Sequence, residues 1–166
     1  MDALRKDFFD AWEEEIAAYQ EVSLVLSQQK HALMKWDITY FQETSQQAVI
    51  LISQAHKATN TRNDLMETLL VMCDATTQSH SLKNISELFE EEEEQERAQV
   101  FFKVFANTLK TIDKLSSENK ELIRTGLELV GDNLEMIADI IDHDRVYSRV
   151  GMIHQKRSSI LLNKRI

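Results

Sequence analysis

Across 166 residues the chain contains no proline, and its only glycines are Gly126, Gly131 and Gly151. Proline fixes φ and glycine supplies positive φ, the two devices from which tight turns are built. A chain nearly without them reverses direction rarely. Long helices joined by few connections are the architecture this implies.

Hydrophobic spacing supports that reading segment by segment. Phe8, Trp12, Ile16, Tyr19, Val22, Leu26, Leu33 and Trp36 fall on one side at 3.6 residues per turn, which predicts an amphipathic helix from Leu4 to Lys35. Asp37 then stands as an N-cap for a second helix, striped by Phe41, Ala48, Ile52, Ala55, Leu65, Leu69 and Met72. So short a link makes the two helices antiparallel neighbours. Residues 58–64, Ala-Thr-Asn-Thr-Arg-Asn-Asp, are weak helix formers where the second helix is kept but open to a bend or break. After a loop over 74–81, Ser81 caps a short helix bearing Leu82, Ile85, Leu88 and Phe89. A last long helix starts near Glu94 with the stripe Phe101, Phe105, Leu109, Ile112, Leu115, Leu122, Leu127, Leu134, Ile137 and Ile141. Gly126 and Gly131 interrupt it at about 1 kcal/mol each relative to alanine. The expected fold is therefore all-α, an elongated antiparallel helical bundle or coiled coil of three main helices plus a short one. It divides into a bundle domain, 1–144, and a flexible basic amphipathic tail, 145–166.

At this length folding hides roughly 70% of the unfolded surface, enough for a core without staples. The single cysteine, Cys73, has no partner for an internal disulfide, the first residues lack a signal-peptide layout, and no apolar run spans a bilayer, so a cytoplasmic protein is expected. A formal net charge of −9 speaks against nucleic acid as the main partner. The charge is unevenly spread. Six Lys or Arg and no acid occupy 145–166, leaving 13 basic and 28 acidic residues, a balance of −15, in 1–144.

Motifs of catalysis are missing. No histidine has Glu three residues before it, so the paired Glu-x-x-His ligands of a bundle metal site are absent, as are His-Glu-x-x-His, a phosphate-cradling glycine loop and a Gly-x-Ser-x-Gly elbow. No catalytic residue, metal or cofactor is assigned, and an enzyme is not expected. The glutamate run Glu90–Glu94 suits a solvated helix start at the positive end of the dipole, and its charge also attracts the basic tail. Trp12, Tyr19, Trp36, Phe41, Phe101 and Phe105 are expected to be mostly core. Asn119, in line with an apolar stripe, either fixes the bundle's register or faces water. The tail is either a frayed end or a segment that folds on a partner. Tyr147, Val150, Met152, Ile153, Ile160, Leu161 and Leu162 are more apolar residues than a solubilising tail requires, and a transient membrane-surface contact is a further option for a basic amphipathic segment.

Three stretches resemble the FlgN family of flagellar type III export chaperones. Glu15-x-x-x-Tyr19, Gln29-Lys30-His31-Ala32-Leu33 and Trp36-Asp37 look like the family's first helix and the Asp that opens its second. Asn119-x-x-Leu122-Ile123 with Leu127, Val130 and Leu134 is similar to its long final helix, and Tyr147-x-x-x-Gly151 to its short Tyr-to-Gly motif. The second helix departs from the pattern, with Ser45, Gln46, Gln47, Thr59 and Thr61 where charges are usual, which leaves its length open. The resemblance implies a cytosolic chaperone that binds hook-associated proteins, prevents their premature assembly and delivers them to the flagellar export gate and its ATPase components. It further implies client binding through Val146, Tyr147, Val150, Met152, Ile153, Ile160 and Leu161, and a gate contact at Tyr147. A monomer or weak dimer is expected. Two rivals stand beside this reading: an adaptor coiled coil that self-associates through its long helices, and a helical-bundle enzyme that would need bound metal.

Overall fold

The computed structural model describes residues 2–72, 85, 86 and 89–147, with side chains through residue 141. Helix α1 runs Asp2–Met34, α2 Ile38–Met72 and α3 Glu92–Tyr147, and no strand occurs among the described residues. Of the expected short helix, Ile85 and Ser86 form a single 3₁₀ step and Phe89 lies outside any helix. Its other positions, 81–84, 87 and 88, lie outside the described residues, so no fourth α-helix is seen among those described. Cys73 also lies outside them.

The α1–α2 reversal is made by a Schellman motif without glycine. Asp37 N–H donates to the Ala32 carbonyl at 3.0 Å and Trp36 N–H to the Leu33 carbonyl at 3.2 Å, while Trp36 takes the left-handed conformation at φ 57°. Asp37 then caps α2 as expected, its carboxylate accepting from the Tyr40 N–H at 3.0 Å. Trp36 is a correction to the expected core. Placed at the point of reversal, it is 56% exposed, together with its neighbours Met34 and Ile38.

The chain divides into two compact units, one ending at Arg124 and the other beginning at Thr125. In the first unit α1 pairs antiparallel with α2, and the N-terminal part of α3 runs parallel to α1. Ion pairs mark that register, with Arg5 on Glu94 at 3.1 Å near one end and Lys30 on Glu118 at 3.0 Å near the other. The main core cluster gathers Phe8, Phe9 and Trp12 of α1, Met66, Leu69 and Leu70 of α2, and Phe89, Ala98 and Phe105 around α3. Edge-on rings join α1 to α3, Trp12 to Phe101 at 5.6 Å and Tyr19 to Phe105 at 5.5 Å. A second, smaller cluster holds Val22, Leu26 and Ala55, flanked by Ile112 and Leu115.

Polar side chains tie α1 to α2 at one level and all three helices at another. Glu15, fully buried, accepts from Arg62 Nε at 2.8 Å and Nη2 at 3.1 Å. One turn on, Thr59 donates to the Ala55 carbonyl at 3.0 Å, which leaves its Oγ1 to accept the Tyr19 hydroxyl at 3.2 Å. The stretch 58–64 is thus held as continuous helix by α1, and α2 does not break there. At the other level Asn119 Nδ2 donates to the Leu26 carbonyl at 2.9 Å and reaches Gln29 Oε1 at 3.5 Å, and Gln29 Nε2 donates to Ser45 Oγ at 3.2 Å. Asn119 is buried, so of its two expected roles the register-setting one fits.

Candidate protein-binding site

The second unit starts in α3. Between Thr125 and Asp144 this helix has six Asp or Glu and no Lys or Arg. Its apolar residues repeat at helical spacing, Leu127, Val130, Leu134, Ile137 and Ile141 on one stripe and Leu129, Met136 and Ile140 on the adjacent one. Together they cover about half of the helix circumference. All eight are exposed, Leu127 at 68% and Leu134 at 63%, and every described residue from Leu127 to Ile141 is exposed. The stripe expected to mark the last helix is therefore present at Leu127, Leu134, Ile137 and Ile141, but nothing described packs on it. The physical reason is length, since helices of 33 and 35 residues cannot cover the stripe of a helix of 56.

An exposed apolar face of this extent is the kind of surface that marks interaction sites. Neither glycine breaks it: α3 continues through Gly126 and Gly131, and a Cβ added at Gly131 would meet nothing within 4 Å. Of the residues assigned to client binding, Val146 and Tyr147 form the last steps of α3. Val150, Met152, Ile153, Ile160 and Leu161 lie outside the described residues. The face between Leu127 and Ile141 was missed because periodicity reports that a helix has an apolar side and is silent on what covers it. Helix lengths carried the missing signal.

Other candidate chemistry is thin. Among the described residues no group of three or more His, Cys, Asp or Glu is placed to hold a metal ion, and no helix is long and apolar enough to cross a membrane. Glu94 of the glutamate run is engaged by Arg5, and α3 starts at Glu92, which puts Glu92, Glu93 and Glu94 in its first turn. A shallow groove between α1 and α3, about 290 Å³, is lined by Gln20, Ser23, Val104, Asn107, Thr108 and Thr111, small and amide side chains with no charge to orient a ligand.

The described residues thus form a three-helix scaffold with an exposed amphipathic segment. The chain matches the family model described as FlgN protein over residues 1–155, and it belongs to the FlgN family, a family of flagellar export chaperones. No curated protein and no solved structure matches it.

Proposed function

We propose that this protein is a cytoplasmic chaperone for hook-associated proteins, keeping their assembly-prone segments covered until it hands them to the flagellar export gate. Family membership supports the chaperone role, and one observation carries the mode of binding. The second unit presents an uncovered apolar face from Leu127 to Ile141 that leads directly into the residues assigned to the client, Val146, Tyr147, Val150, Met152, Ile153, Ile160 and Leu161. Proteins that polymerise through terminal helical segments expose apolar stripes before assembly, and an apolar helix face covers such stripes by pairing side by side. In this reading the first unit is the rigid carrier, the face and the tail are the grip, and Tyr147 is shared with the export gate.

Ordering a segment of about 20 residues on a client consumes several kcal/mol of the gross interaction, so the complex is moderate in affinity and releasable. Secretion requires that release. The test is calorimetry of hook-associated proteins against the full chain, a chain lacking 145–166, and Leu134→Ser/Ile137→Ser. Each alteration is expected to weaken binding about tenfold or more, since two buried aliphatic side chains or a whole anchor segment are lost. Undiminished affinity in both would sink the model.

The rival adaptor would use the same face to pair two copies. The net charge of that segment, six acids and no base between 125 and 144, opposes such pairing by repulsion between the two copies, with Asp132 and Asp139 the acids nearest the margin of the face. Sedimentation of the full chain decides it: a stable dimer at micromolar concentration favours the adaptor.

A further inference from the structure

The uncovered face of α3 also fits an occupant carried by this chain. Its segment 125–144 holds six acids and no base, whereas 148–166 holds five Lys or Arg and no acid. On a 3.6-residue period Ile153, Ile160 and Leu161 share one side with Arg157 and Lys164. A side that alternates apolar and basic groups suits an apolar surface with carboxylates at its margin. The α3 face is such a surface: Asp132 and Asp139 flank Met136 at its edge and both are exposed. Lengths also agree, because residues 152–166 as a helix would extend about 22 Å, and the stripe from Leu127 to Ile141 about 21 Å.

We propose that residues 152–166 dock as a basic amphipathic helix, antiparallel, on the α3 face between Leu127 and Ile141, with the chain reversing near Gly151. A glycine just past the end of a helix is the residue best suited to such a reversal. Charge selects this occupant over a second copy's α3 segment, since residues 127–141 carry −4 and residues 152–166 carry +4, which cancel, whereas −4 against −4 repels. The two apolar surfaces that would hold a client then cover each other in its absence, and a client must displace the tail. Apparent client affinity is lowered by the fraction of chains in the docked form.

Docking needs no client, so it is tested apart from the chaperone reading. A chain that docks its tail and ignores every hook-associated protein would keep this proposal and lose that one. The full chain is treated with a carbodiimide, which joins lysine amines to carboxylates in contact, and the linked peptides of the monomer are mapped by mass spectrometry. Lys156 and Lys164 are expected to join Asp132 or Asp139, the acids at the margin of the face, within one chain. Leu134→Ser/Ile137→Ser should cut that yield about fivefold or more by removing apolar anchors while leaving the carboxylates. The Lys30–Glu118 pair, at 3.0 Å, is the internal standard and should link equally in both proteins. Links from the tail lysines to Glu90–Glu94 instead, links only between chains, no links at all, or a yield that survives the double substitution would each overturn the proposal.

Discussion

Glu15 and Arg62 place a bidentate ion pair where solvent does not reach, and that makes each dependent on the other. Removing only the carboxylate leaves a guanidinium buried without its partner, so Glu15→Ala is expected to destabilise the fold by about 3–5 kcal/mol, whereas Glu15→Met/Arg62→Met should recover most of the loss. Urea unfolding midpoints check both. A double variant no better than the single one would mean that the pair contributes more than charge compensation. Half of this pair was legible, since Glu15 stood out at the head of a family motif. Arg62 was not, because in sequence it sits within weak helix formers and nothing local says that an acid waits on another helix. Trp36 teaches the converse. Its spacing continues the α1 stripe, but the chain has already turned there, and φ 57° costs an L-residue about 1–2 kcal/mol. Trp36→Gly relieves that strain and loses little packing, so after the entropy cost of glycine the fold should gain about 0.5–1 kcal/mol, read as a higher unfolding midpoint.

At the level of elements, scarcity of turn formers and a 3.6-residue period were enough to locate three helices. Boundaries came within a few residues, because caps are chemical: Asp37 was readable as the start of α2 from its side chain alone. What escaped was tertiary. The polar stretch 58–64 looked breakable because intrinsic propensity was all that could be weighed, and it is held by Tyr19 and Glu15 across the helix pair. In α3 the same stripe that packs at Phe105 stands exposed at Leu134. A period cannot distinguish the two. Since nothing approaches the missing Cβ of Gly131, Gly131→Ala should stabilise the local helix by about 1 kcal/mol and slow amide exchange between 127 and 141 roughly fivefold. Exchange left at the wild-type rate would show that opening of this segment is set elsewhere than at the glycine.

On the scale of the molecule, the two units differ in how they resist opening. The first has a core of packed aromatic and aliphatic side chains and two buried polar ties, so its core amides are expected to exchange only through large-scale unfolding. The described part of the second has helix without a buried side chain, and most helix stability in proteins comes from burying an amphipathic face. Native-state hydrogen exchange of the free chain should therefore divide into a slow population within α1, α2 and the start of α3, and a faster one from Leu127 to Ile141, which a docked tail covers without building it into the core. Adding a hook-associated protein should slow the second population and leave the first unchanged, with a negative heat-capacity change on binding because apolar surface leaves water. Equal added protection in both units would move the client onto the first unit. The face between Leu127 and Ile141 would then be left to the tail alone.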